Sequence, residues 1–359
     1  METRWQLSKE CMFLVSAFFV LFMSGGLILG FGPVYSMLVR EKLWVNVCSK
    51  EEQQNRNEDS GVLCAAQEVY LQSVFSTAFL SLSASNVFFG VFLDVMGPRG
   101  TIVLALLLST CGNFALALVQ TESSGLWIIA GYSLVAIGGM GVYLAAFQML
   151  QLFNVQGLVC STLSSLFNCS GFVYVLLGLH GMTRTNFFCG YGILASVCAF
   201  VGYLLFPTNN INRPSEFLAI PLLHFELPRN NTPAFLVDGL QEMLKRQDLW
   251  LLAVLFGWVS LTFAFTGGAL PSLLSKLAGD DISAASLYTN VIYPIVVNST
   301  FCYSPIVGYV IDHYGFKMVF VACIVLVQLL IVLLLVPSLQ VQLITFFVFA
   351  MAQSCLYSL

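Results

Sequence analysis

The chain has 359 residues, 58% of them apolar and 9% charged, with a mean hydropathy of +0.87. Its 14 basic and 18 acidic side chains are too few to cover the surface of a soluble protein of this length. A net charge of -4 with no basic patch argues against nucleic acid and polyanionic partners. What remains is a multi-pass membrane protein, all-α, with the lipid bilayer as its first partner.

A membrane span needs about 20 apolar residues, and the chain supplies several. The first run covers residues 11–34 and is too long for the apolar core of a signal peptide. It carries Ser24-Gly25-Gly26 and then Gly30-x-Gly32-Pro33, a pattern that interrupts a helix and frees backbone groups. A polar segment with Glu51, Glu52, Arg56, Glu58 and Asp59 follows, flanked by Cys48 and Cys64. These two cysteines lie outside the apolar runs and can pair if the segment faces an oxidising compartment; the other cysteines sit singly, mostly as small hydrophobes in the spans.

The second and third spans are predicted over 69–93 and 101–119. From Ser123 to Thr183, 61 residues contain no Asp, Glu, Lys or Arg. That length requires at least two spans, divided by the polar patch at Gln148, Gln151, Asn154 and Gln156. The sixth span covers 186–206. Residues 207–248 hold five prolines and nine charged residues and read as a linker, with a short helical stretch at 237–247. Further spans follow at 249–270, 285–310, 318–336 and 341–359. The expected organisation is therefore an N-terminal six-helix bundle (1–206), a cytoplasmic linker (207–248) and a C-terminal bundle (249–359).

One short pattern occurs twice. Gly90-x-x-x-Asp94-x-x-Gly97-x-Arg99 returns 218 residues later as Gly308-x-x-x-Asp312-x-x-Gly315-x-Lys317, each time in a polar break between two apolar runs. Repetition at this distance indicates two related halves, the plan of many carriers. With six spans before the linker and four after it, equivalence of the halves implies that the last two spans are missing from this chain; a ten-span protein is the other reading. The repeat places both turns on one face after an even number of crossings. With the Lys245-Arg246 pair and a slight excess of Lys and Arg on that side, this assigns the face and the N-terminus to the cytoplasm.

Each turn has a mechanical reading. Gly90 and Gly308 permit close helix contact. Asp94 and Asp312 lie at the membrane face, where a carboxylate suits a helix start. Gly97 and Gly315 allow a sharp turn, and Arg99 and Lys317 can pair with the acid or with headgroups. The two clusters are expected to latch and release the cytoplasmic face without touching solute.

No acid, base or histidine lies near the middle of a predicted span, which favours a facilitator or exchanger of a net-neutral solute over a proton-coupled pump. Uncharged polar and small residues remain as solute contacts: Gly30, Gly32 and Tyr35 in the first span; Gly138, Gly139 and Gln148 in the fourth; Asn168 and Ser170 in the fifth; Thr262 and Thr266 in the seventh; Asn290 and Tyr293 in the eighth. Helix packing or kinking is the competing role of each. Nothing in the sequence has the spacing of a metal site, a cofactor cradle or a nucleophile–base pair, so no enzyme, metal or cofactor is expected.

The six-plus-six plan and the turn Gly90-Val-Phe-Leu-Asp94-Val-Met-Gly97-Pro98-Arg99, recurring between helices 8 and 9, resemble the major facilitator superfamily. That resemblance covers essentially the whole chain and implies two six-helix bundles working by alternating access. Within the superfamily, Gly30-Phe-Gly-Pro-Val-Tyr35, Leu71-Gln-Ser-Val-Phe-Ser-Thr, and Gly138-Gly-Met-Gly141 followed by Phe147-Gln148 are similar to the sodium-independent large neutral amino acid transporters and their protozoan relatives. The aspartate usual in helix 5 of that family is absent, Asn168 standing in its place. The resemblance implies exchange or uptake of neutral, aromatic or cationic amino acids at the plasma membrane. A sugar, nucleoside or monocarboxylate carrier, or a non-transporting receptor or regulatory fragment, are the alternatives.

Overall fold

The structure is a computed structural model that describes residues 4–49, 64–119, 125–178, 181–208, 217–221, 244–278, 287–288 and 292–358. The described chain is almost entirely helical, and eight of its helical stretches are long and apolar enough to cross a membrane. Its contacts divide it into two compact units: Met1–Phe153 with Cys169–Arg229, and Asn154–Asn168 with Asn230–Leu359. The second unit thus takes in residues 154–168, which the sequence places in the N-terminal bundle.

The first unit opens with strand β1 (Arg4–Ser8) and helix α1 (Lys9–Met23). Ser8 caps α1, its hydroxyl accepting from the Cys11 N–H at 3.3 Å. The α-helix stops at Ser24, whose backbone is extended, and the chain continues as a 3-10 stretch over Gly25–Gly30 before helix α2 (Phe31–Arg40). Pro33 falls in the first turn of α2, where its missing N–H costs nothing. The predicted interruption of the first span is therefore present. Carbonyls near the break find partners on other helices: the Tyr191 hydroxyl donates to Phe22, and the Tyr132 hydroxyl donates to Ile28 at 3.3 Å.

Helix α3 (Ala65–Leu118) runs for 54 residues, roughly 80 Å at the helical rise and more than twice the thickness of a bilayer core. It is two helices joined at Gly97, whose φ of 71° and ψ of 176° no other residue adopts cheaply. Pro98 then takes the first turn of the second piece. Helices α4 (Leu126–Phe147) and α6 (Arg184–Leu205) pack against α3. A 3-10 turn over Gln148–Leu152 ends α4 at the polar patch expected to divide the spans. Helix α5 (Gln156–Cys169) also turns 3-10, over Ser170–Gly178.

The disulfide Cys48–Cys64 joins the segment after α2 to the start of α3. At the same end of the unit, Arg184 is almost fully buried and forms an ion pair with Glu41 at 2.7 Å. Its guanidinium also donates to the carbonyls of Leu116 and, at 2.6 Å, Val119. One side chain thereby ties α2, α3 and α6. Strand β2 (Phe217–Pro221) pairs antiparallel with β1, Arg4 opposite Pro221 and Ser8 opposite Phe217. Strand β2 lies in the region the sequence presents as linker, and among the described residues this ribbon is the one departure from an all-α description. The helical stretch expected at 237–247 falls mostly outside the described residues.

The second unit contains α5 up to Asn168, together with α7 (Gln247–Ala278), α8 (Tyr293–Asn298), α9 (Thr300–Tyr314), α10 (Phe316–Leu334) and α11 (Leu339–Ser358). Its core gathers Val259, Ile311, Val319, Cys323, Val327, Ala352 and Leu356 from four of these helices. Helices α9 and α10 meet at Gly315, φ 80° and ψ 166°, the same backbone conformation as Gly97. The sequence repeat is thus a conformational repeat.

Replacing Arg184 with Ala leaves Glu41 and two carbonyls without their donor and is expected to cost roughly 3 kcal/mol. The melting midpoint of the detergent-solubilised protein should fall clearly, and Arg184→Lys should recover only part of the loss, because an ammonium cannot reach three acceptors as a planar guanidinium does.

Candidate functional site

The two repeated turns share a backbone but not their partners. In the second unit, the backbone N–H groups of Gly157 and Leu158 donate to the two carboxylate oxygens of Asp312, at 2.8 and 2.9 Å. These are free donors at the first turn of α5, so an anion there is favoured both by hydrogen bonding and by the helix dipole. Contact is possible because Gly308 lies one turn before the acid. A Cβ on Gly308 would stand 2.7 Å from the Gly157 carbonyl oxygen and 2.7 Å from Ser161 Oγ. The close contact read from Gly308 in the sequence is thus present.

Around Gly90, by contrast, a Cβ would meet nothing within 4 Å. The expected close contact of that glycine is absent among the described residues, since its helix face has no neighbour at that point. The base of the first turn has a distinct role. Arg99 is fully buried; its Nε donates to the Phe206 carbonyl at 2.8 Å, and its backbone N–H donates to the Pro207 carbonyl at 3.0 Å. Tyr203 lies under the guanidinium, 5.4 Å from ring centroid to Cζ. Arg99 therefore closes the C-terminal end of α6, where a cation complements the exposed carbonyls. Lys317 and Asp94 are exposed at their turns.

The uncharged candidates fall into separate groups. Gly30 is pressed against Gly171, with no room for a Cβ beside the Gly171 carbonyl, and Ser24 Oγ donates to Ser170 Oγ at 3.4 Å. Gly139 meets the backbone of Gly25, and Gly138 meets that of Ala105 and Ser109. These positions hold helix contacts in the first unit, so Gly30, Gly138, Gly139 and Ser170 do not face open space. Gly32 does, and Tyr35 beside it donates to the Glu68 carboxylate. Gln148 opens the 3-10 turn after α4.

In the second unit, Thr262 and Thr266 donate to carbonyls of their own helix, at Trp258 (3.0 Å) and Thr262 (2.7 Å). Tyr293 packs its ring on Phe346 and Phe349, and Asn290 lies outside the described residues. Asn168 is buried and accepts from Gln353 Nε2 at 3.5 Å. A cavity of about 790 Å³ between α7 and α10 is lined by apolar side chains such as Phe256, Val259, Phe320 and Ile324. Among the named candidates only Lys317 borders it.

Sequence reading passed over Arg184, Glu41, Gly157, Ser161 and Gln353. For Arg184 a signal existed: it is the single base after 61 uncharged residues, at the very start of a span. For the other four no signal existed: Glu41 stands between Arg40 and Lys42, and Gly157, Ser161 and Gln353 are small or polar residues whose partners lie far away in the sequence. No group of His, Cys, Asp and Glu able to hold a metal occurs among the described residues.

The family profile of the Major Facilitator Superfamily matches residues 14–359. The Saccharomyces cerevisiae protein FMP42 is 30% identical over 164 residues, a match spanning 44% of this chain and 30% of that protein. Among solved structures, a proton:xylose symporter, XylE, bound to 6-bromo-6-deoxy-D-glucose aligns with a TM-score of 0.56 at 16% identity, covering 97% of this chain and 80% of its own. A peptide transporter, POT, aligns over 97% of this chain and 84% of its own at 14% identity with a TM-score of 0.44. The XylE likeness bears on fold alone, and the POT likeness is too low to add to it.

Removing the Asp312 carboxylate by Asp312→Ala leaves two helix-start donors unmet and should cost about 1–2 kcal/mol, as loss of an N-cap does. Asp312→Asn keeps one acceptor oxygen and should cost less. Thermal unfolding of the two purified variants checks the order.

Proposed function

Since the chain belongs to the Major Facilitator Superfamily, and is accordingly a multi-pass membrane transporter of small-molecule solutes, we propose that its solute is an amino acid, moved by facilitated diffusion or exchange through alternating access. The reading places the protein in the plasma membrane with its N-terminus in the cytoplasm.

The observation that carries it is the pair of helix interruptions in the first unit. The 3-10 stretch Gly25–Gly30 packs against the 3-10 stretch Ser170–Gly178, and irregular backbone at membrane depth is tolerated only where protein or a polar cavity surrounds it. Neither stretch carries an ionisable acid, base or histidine. In this conformation Gly30 contacts Gly171 and Ser24 bonds Ser170; once alternating access separates them, backbone dipoles and hydroxyls can hold a zwitterion, whose charges sum to zero, without a buried countercharge. A monocarboxylate would call for a buried base, and a proton-coupled pump for a titrating group within a span. The resemblance of Gly30-Phe-Gly-Pro-Val-Tyr35 to the large neutral amino acid transporters supports the same choice.

The two turns then act as latches on one membrane face. Asp312 holds the start of α5 through two hydrogen bonds, a small set of contacts that can be broken and remade in each cycle. Such contacts shift the balance of conformations without selecting the solute.

Purified protein in proteoliposomes, offered labelled amino acids, sugars, nucleosides and monocarboxylates, tests the reading. Saturable uptake confined to amino acids is expected, with the rate unchanged when a proton gradient is collapsed. Uptake of another class alone, or strict dependence on the gradient, would overturn it.

A further inference from the structure

A seam of buried, uncharged polar groups runs through the second unit. It begins where α5 crosses α9, with Ser161 fully buried beside Gly308. It continues through Ser304, whose hydroxyl lies 2.9 Å from that of Ser354 on α11. It ends at Asn168 and Gln353. Each member is expensive to keep inside a membrane bundle unless its hydrogen bonds are made.

At the end of the seam they are only partly made. Asn168 Nδ2 donates to the Ser164 carbonyl of its own helix at 3.2 Å, which fixes the amide so that Oδ1 points to α11. Gln353 Nε2 reaches that oxygen at 3.5 Å, the outer limit of a hydrogen bond. The other Gln353 atom, Oε1, is buried with no partner in the structure, and Ser161 Oγ is in the same condition. Two side-chain amides thus meet through a long bond, and an acceptor is left over. A group that brings several N–H donors would satisfy both amide oxygens at once; a hydroxyl brings a single donor, and a carboxylate brings none.

We propose that Asn168 and Gln353 form the subsite for the ammonium group of the solute. The long amide–amide bond opens, Gln353 Oε1 accepts one ammonium N–H, and Asn168 Oδ1, released from Gln353, accepts a second. The two amides recognise the charge of the ammonium through carbonyl oxygens alone, so no carboxylate enters the span. This inference rests on the amino acid reading and deepens it by naming the residues that tell an amine-bearing solute from the same carbon skeleton without its amine.

The test uses the full chain in proteoliposomes, with uptake of a labelled neutral amino acid and competition by that amino acid and by its amine-free carboxylic acid. Gln353→Met keeps length and volume but removes the acceptor. It should raise KM about ten-fold, equivalent to about 1.4 kcal/mol, with kcat changed less than about two-fold and thermal unfolding unchanged. The preference for the amine-bearing competitor should collapse. Gln353→Glu restores an acceptor and should restore that preference. Retained discrimination in Gln353→Met would overturn the proposal, as would equal loss for both competitors that Gln353→Glu does not rescue. If wild-type protein moves no amino acid but moves another solute, the substrate reading has failed; the two variants are then compared on that solute, and an unchanged KM in Gln353→Met overturns the subsite as well.

Discussion

Inside a bilayer no water is at hand to satisfy a backbone group, and lipid tails give helices no hydrophobic reason to leave them for one another. The first unit answers both constraints with close backbone contact. Gly30 lies on Gly171, Gly139 on Gly25, and Gly112 on Gly131; at each place a single methyl group would collide with main chain. Contact at this range yields dispersion attraction along whole helix faces and brings hydroxyl donors within reach of carbonyls. The interruption at Ser24 lies at one of these contacts, next to Gly25. Tyr132 and Tyr191 can reach the first span only where their helices come this near.

The repeated turns show how one local motif serves two ends of a helix. Both copies bend at a glycine with positive φ, and both set an acid three residues before it and a base two residues after it. In the second copy the acid meets the start of α5, and in the first copy the base meets the end of α6. Each pairing agrees with the partial charge that the helix terminus presents. The motif therefore supplies a charge of either sign at the membrane face, and the neighbouring helix decides which one is used.

Much of the fold was legible because hydropathy and charge report directly on the bilayer. The boundaries of α6, α10 and α11 fall within two residues of those read from the sequence, since Arg184, Lys317 and Ser338 mark their starts and Pro207 and Pro337 follow the first two. The first span's break was legible from its glycines and Pro33. The seventh was not fully so: α7 continues to Ala278, eight residues past the expected end, because Pro271 reads as a stop in isolation. The β1–β2 ribbon escaped notice because backbone pairing across more than 200 residues leaves no local pattern. Among candidate contacts, glycines were recognisable as special but not as packed or open. Gly30 and Gly32, two residues apart, differ completely in this respect. That distinction depends on which face of the helix a neighbour approaches, and a single sequence does not encode it locally.

The burial of Arg184 has a consequence for how the protein is made. Its partners Glu41, Leu116 and Val119 are all synthesised earlier, so the hairpins before it reach the membrane without this ion pair and these two hydrogen bonds. The three contacts form only when the start of α6 leaves the ribosome. For α5 the order is reversed, since its first turn is capped by a residue more than 150 positions downstream. Nascent chains released between these two points would carry one finished bundle end and one helix start whose N–H groups still lack the carboxylate that completes them.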